Sequence, residues 1–305
     1  VGCVWGMAPQ GRGRVLFSAV EHAGLLKLAQ RLMEEGVVVE LLPVQSDGCL
    51  DLAAAASRIG TDVALVSVMA ANNETGVLMP VAEVAALTHA AGATFHMDAT
   101  QLIGKLPFSF ARSGADLVSL SAHKLHGPKG VGALLVRQGL ALQAQFPGSQ
   151  ERSRRGGTEN LAAIAGMAAA LDQLDVLLSQ AERVMELRNR LEAGLVSARC
   201  GVHIWGADAT RLPGTSYLRF GHLPAEVVLQ RLDRLAVAAS SGSACASSGT
   251  APSHVLTAMG VAQAEALGAV RFSLCSSTKA HEIEQLIANL PPLLASLLHE
   301  YETTA

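Results

Sequence analysis

Residues 117–130 read LVSLSAHKLHGPKG, a short apolar run that stops in a cluster of hydroxyl, imidazole, amine and glycine groups. The amine of Lys124 is the group there that can do covalent chemistry. A lysine held in a cleft, desolvated and beside other positive charge, loses its proton more readily and becomes the neutral nucleophile that Schiff-base formation needs. The same residue type at a strand end is also an ordinary solvated lysine, so its neighbours decide between the two. With this run, Asp116–Leu120 leading to Ser121, His123 and Lys124, two other apolar runs end in polar groups: Val63–Met69 leads to Asn72-Asn73-Glu74, and Thr94–Met97 ends at Asp98 with Gln101 beyond it.

Elements must bring these ends together. Apolar residues recur at helical spacing over 21–34, through Leu25, Leu28, Ala29 and Leu32, and Gly36 stops the helix. Val37–Leu42 reads as a buried strand, Asp51–Arg58 as an alanine-rich helix, and Pro80–Ala91 as a helix opened by proline and closed by Gly92. Helices alternating with short apolar strands predict βα units and a mainly parallel sheet, whose strand ends converge on one edge.

Beyond Val136 the stretch PGSQERSRRGGTEN reads as a loop, and a long helical region from Asn160 to about Leu195 predicts a connection between two domains, residues 1–165 and 166–305. The remainder predicts strands at 214–220, 235–238 and 269–274 and helices at 224–232, 252–259 and 279–301.

The side chains at the converging ends match the needs of pyridoxal phosphate: an amine for the aldehyde, a carboxylate to keep the ring nitrogen protonated, and donors for the phosphate and phenolate oxygens. Lys124, Asp98, Gln101, Ser121 and His123 supply all of these. Composition agrees with an enzyme of small molecules. The 305 residues can bury a large core, half of them are hydrophobic, and the net charge of −3 with scattered Lys and Arg offers no basic stripe for nucleic acid. Apolar runs are short, so no membrane span is expected, and the five scattered cysteines, without CxxC, suit a reducing cytoplasm rather than a disulfide framework or a zinc site.

The blocks EH (21–22), ANNETG (71–76), HMDATQ (96–101), SAHKLHGPKGVG (121–132), QERSRRGGTEN (150–160), SSGSACASS (240–248) and RFSL (271–274) resemble those of the group I cysteine desulfurases, of the class V aminotransferase family. The resemblance runs along essentially the whole chain. It implies the α/β fold type I of aspartate-aminotransferase-like enzymes: a mainly parallel, seven-stranded-type sheet flanked by helices, with a smaller α+β C-terminal domain. It also implies a homodimer.

Carried over by residue, Lys124 bonds the cofactor and shuttles protons, Asp98 pairs with the ring nitrogen, His22 stacks on the ring, and Gln101 and Asn73 lie at its phenolate oxygen. Ser121 and His123 bind the phosphate, Thr158 reaches the phosphate of the partner subunit's cofactor, and Arg271 with Asn73 holds the substrate carboxylate. Cys245, in a run of Ser, Gly and Ala, is the thiol that takes sulfur from L-cysteine as a persulfide, leaving L-alanine, and passes it to an acceptor protein for iron–sulfur cluster assembly or tRNA thiolation.

Family members carry, ahead of the region matching Val1, an arm and a phosphate-binding loop, so the resemblance predicts a chain lacking that N-terminal segment. A selenocysteine lyase and an inactive homologue acting as a binding partner are the alternatives. Cys275 stands where the family often has glycine, and is expected to be structural.

Overall fold

The computed structural model describes residues 12–242 and 251–304. Contacts divide the chain into two compact units. The first comprises the residues up to Pro43, Leu50–Asn72 and Met79–Leu178; the second comprises Val44–Cys49, Asn73–Leu78 and the chain from Ser179 onward. A single boundary between residues 165 and 166 therefore does not describe the contacts, because two short excursions of the early chain belong to the second unit.

In the first unit, β1 (Arg14–Ser18), β2 (Val38–Leu42), β3 (Val63–Met69), β4 (Thr94–Asp98), β5 (Leu117–Ser121) and β6 (Gly132–Val136) form a sheet ordered β2-β1-β3-β4-β5-β6. Every pairing is parallel except β5 with β6. The described residues thus hold a six-stranded version of the expected sheet. β3 reads VALVSVM and is buried at every position, the continuous apolar pattern of a strand covered on both faces.

Helix α1 (Ala23–Glu34) turns Ala29 and Leu32 onto Val15, Phe17 and Leu65 of the sheet, with Leu25 and Leu28 against the same cluster. Gly36 (φ 85°) then reverses the chain into β2, a left-handed conformation that glycine adopts without a side-chain clash. Helices α2 (Leu52–Arg58) and α3 (Val81–Ala90) follow β2 and β3. Strands β1 and β6 escape the sequence pattern: β1 follows glycine- and arginine-rich chain, and β6 is only half covered.

The expected long helix breaks into α4 (Leu161–Leu171), a six-residue helix at Leu174–Ser179 and α5 (Ala181–Ser197). In the second unit β7 (Val202–Ile204), β8 (Thr215–Phe220), β9 (Ser240–Ser241) and β10 (Val270–Ser273) make a sheet ordered β7-β8-β10-β9, antiparallel throughout. Over it lie α5, α6 (Ala225–Arg234) and, after the short α7 (His254–Ala258), the terminal α8 (Ala280–Thr304). The core there is built on Leu191, Leu195, Leu218, Phe220, Val228, Leu232, Leu290 and Leu294. Residues 235–238 are not a strand: Ala236 takes φ 55° where the chain leaves α6, and pairing starts only at Ser240. No helix among the described residues is long and apolar enough to cross a membrane.

Candidate active site

Parallel strands put all their carboxyl ends on one edge, and in the first unit that edge collects the candidate residues. β1 is followed by Glu21 and His22, β3 by Asn72; β4 ends on Asp98; β5 ends on Ser121 and runs into a single tight turn, Ala122–Lys124. In the order β2-β1-β3-β4 the connection after β1 runs to β2 on one side and the connection after β3 runs to β4 on the other, so the strand order reverses between β1 and β3, the kind of point at which open α/β sheets hold ligands.

Asp98 is fixed by its backbone and by its side chain. Its carbonyl accepts from Ala70 N at 2.8 Å, and its Oδ1 accepts from Thr100 N at 2.9 Å. Beneath it sits Glu21, fully buried, whose Oε1 accepts from Met69 N at 2.5 Å. Burial first, and then the nearby Asp98 carboxylate, push the Glu21 carboxyl well above the usual range. On the same strand His96 bridges two hydroxyls, Ser67 Oγ at 2.8 Å and Ser119 Oγ at 3.0 Å, and burial depresses it to about 3. A neutral imidazole therefore locks β4 to both neighbouring strands.

His22 caps α1: its Nδ1 accepts from Gly24 N at 3.1 Å. With Nδ1 occupied as acceptor, the neutral ring carries its hydrogen on Nε2, and the ring itself is exposed. Ser121 Oγ and His123 Nδ1 lie 2.7 Å apart. Partial burial, then the charges of Lys124 and Lys129, lower the His123 pKa. The turn is thus a cationic cluster that an anionic group would relieve. Lys124 itself is exposed. Gln101 accepts from Lys105 Nζ through Oε1 at 2.5 Å, which turns its amide NH₂ into the group left to donate.

In the second unit, Arg271 Nη1 donates to the Asn73 carbonyl at 2.8 Å. Asn73 Oδ1 and Arg271 Nε are both buried without a partner among the described residues. Buried polar atoms are rarely left unpaired, so this pair marks a place for a polar ligand. Thr158 is exposed in the loop ahead of α4. Cys245 lies outside the described residues.

The donor set fits pyridoxal phosphate: an acid at the end of β4, an amine past the end of β5, hydroxyl and imidazole in a cationic turn, and an amide donor at Gln101. Fold and residues together define a pyridoxal-phosphate-dependent enzyme of fold type I. Residues 3–286 match the aminotransferase class-V family. The chain is 42% identical to a cysteine desulfurase of Klebsiella pneumoniae, over 94% of this chain and 72% of the relative. It is 43% identical to the cysteine desulfurase NifS of Azotobacter vinelandii, over 94% and 72%. A solved NifS-like protein superposes with a TM-score of 0.88 at 32% identity, over 96% of this chain and 78% of that one. The chain belongs to the class-V aminotransferases, among the cysteine desulfurases.

Glu21 and the Ser67–His96–Ser119 bridge were not singled out by motif reading. The available signal was a charged residue inside the apolar stretch around Val20 and a histidine inside a strand pattern, each of which needs a buried partner.

Proposed function

We propose that this chain converts L-cysteine to L-alanine, keeping the sulfur as a persulfide on Cys245, and works as a homodimer in the cytoplasm. The convergence of His22, Asp98, Ser121, His123 and Lys124 on one sheet edge is the observation that carries this reading. Lys124, Asp98, Gln101, Ser121 and His123 would hold pyridoxal phosphate, which when bound supplies an electron sink for bonds broken at the substrate Cα.

Asp98, at the end of β4, pairs with a heteroaromatic nitrogen placed against it and keeps a proton there. The Lys124 amine takes the proton from the substrate Cα. Arg271, braced on Asn73, pairs with the substrate carboxylate through its guanidinium. His22, its hydrogen on Nε2, packs as a flat plate and exchanges protons there.

The Cys245 thiolate attacks the substrate sulfur. A sulfur–sulfur bond forms, the carbon–sulfur bond breaks, and the carbon takes a proton, so that Cys245–SH and L-cysteine become Cys245–S–SH and L-alanine. An acceptor protein then takes the sulfur for iron–sulfur cluster assembly or tRNA thiolation, and Thr158 serves the partner subunit's cofactor phosphate.

The test is to mix the chain with pyridoxal phosphate and L-cysteine and follow alanine, with the mass of the Cys245 peptide as a second readout. Alanine formation with a one-sulfur mass gain on Cys245 is expected. A dimer that yields neither overturns the reading.

A further inference from the structure

The second unit holds a buried carboxylate that the chemistry above leaves without a role. Glu74 is 3% exposed. The Ser253 hydroxyl donates to its Oε2. Ser253 Oγ also accepts from Val255 N at 3.1 Å and Leu256 N at 3.3 Å, so one side chain both caps α7 and ties its start to Glu74. The second contact is at Gly242. A Cβ there would lie 1.5 Å from Tyr217 Oη and 3.0 Å from Glu74 Oε2, so only glycine lets the backbone rest against this pair.

Tyr217 is fully buried with its hydroxyl facing the Glu74 carboxylate; burial first, and then that carboxylate, raise the phenol's pKa. Burial raises the pKa of Glu74 as well, against the pull of the Ser253 hydrogen bond, His254, Tyr217 and Arg271. A carboxyl in either charge state accepts from Ser253, so the anchor does not depend on pH.

Gly242 and Ser253 stand on the two sides of residues 243–250, the stretch that contains Cys245. Just ahead of Gly242, Ser240 and Ser241 pair with Arg271 and Val270. One residue before Glu74, the Asn73 carbonyl braces Arg271. A single dipeptide, Asn73-Glu74, thus touches Arg271 and both roots of the segment that carries the thiol.

We propose that Glu74 is a positioning residue for Cys245, fixing both roots of its segment, through Ser253 and against Gly242 and Tyr217, in register with Arg271. This rests on the desulfurase reading. Displacing a reacting group by about 1 Å can cost about a hundredfold in rate, whereas the Arg271 brace runs to the backbone carbonyl of Asn73, which a change of the Glu74 side chain leaves in place.

The experiment compares the full-length wild type with E74A, E74Q and S253A, each loaded with pyridoxal phosphate. It measures kcat and KM for L-cysteine, the visible absorbance of the cofactor, the thermal midpoint, and the persulfide on Cys245 by mass spectrometry. Expected for E74A is a kcat at least about tenfold lower, with persulfide falling in step, KM within about twofold and cofactor absorbance unchanged. Glutamine keeps the acceptor for Ser253, so E74Q should recover most of the rate; S253A should fall between.

A folded E74A at wild-type kcat, an E74Q as impaired as E74A, or a loss shared equally by KM or cofactor absorbance overturns the proposal. If E74A does not fold, S253A decides, and wild-type kcat in S253A overturns it. A wild type that makes no alanine instead overturns the desulfurase reading, and the proposal with it.

Discussion

Arg271 and Asn73, 198 positions apart in sequence, are joined by a 2.8 Å hydrogen bond from Nη1 to the Asn73 carbonyl. The bond uses one corner of the guanidinium and leaves Nε buried without a partner among the described residues. The fork is therefore oriented before any substrate arrives, which lowers the ordering cost of binding a carboxylate. Replacing Arg271 by Ala removes charge-assisted bonds worth about 1.5–3 kcal/mol each, so KM for L-cysteine should rise at least about tenfold. Lysine retains charge but no fork and should recover only part of this. Steady-state kinetics check both, and an unchanged KM in R271A removes Arg271 from the substrate site.

The role assigned to Lys124 has a covalent readout. Borohydride reduction of the loaded wild type should fix the cofactor to the peptide containing Lys124, and K124A should show no such adduct. Asp98→Asn should still give the adduct yet lose at least about a hundredfold in kcat, because a neutral amide does not hold a proton on the ring nitrogen. An adduct on another lysine would move the site away from the end of β5.

Buried His96 gives a pH dependence of defined sign. Its folded pKa is lowered to about 3 while the unfolded chain titrates near the ordinary value of 6.5. The unfolded state therefore binds the extra proton first as pH falls. His96 favours folding fully above about pH 6.5, and this contribution is lost as pH drops toward 3, at about 1.4 kcal/mol per pH unit. Urea unfolding at pH 7 and pH 5 should show a smaller drop in H96Q than in the wild type. Equal drops would mean that His96 is protonated without cost.

These cases show where sequence stops. The strand that ends on Asp98 and the run that ends before Lys124 were legible because buried parallel strands are continuous apolar runs, and polar residues after them stand out. The excursions 44–49 and 73–78 into the second unit were not, since no local periodicity reports which core a short loop joins. Nor was β6, half covered and antiparallel at the sheet edge. Glu74 was visible as a polar residue after a strand, but its contacts with Ser253 and Gly242 are tertiary and far away in sequence. The break between α4 and α5 was hidden by good helix formers on both sides, whose propensity says nothing about direction.

The stability of the second unit should hinge on another long-range pair. Arg211 holds Glu192 with both Nη atoms, at 2.8 and 2.9 Å, and Ser216 Oγ adds a third bond to Oε1 at 2.7 Å. The side chains are only 6% and 10% exposed, so solvent cannot replace a missing partner. Arg188 lies close by, donating to the Leu212 carbonyl at 2.9 Å; burial first, and then the Arg211 charge, lower its pKa. Deleting Glu192 would leave two buried guanidinium groups facing each other without their common anion. E192A should therefore cost about 3–5 kcal/mol, more than a typical core truncation of that size, whereas E192M with R211M should recover much of the loss because no unpaired charge remains at that pair. Urea unfolding of the three proteins checks this. A single variant no less stable than the double one would show that the carboxylate is not what holds the arginines in place.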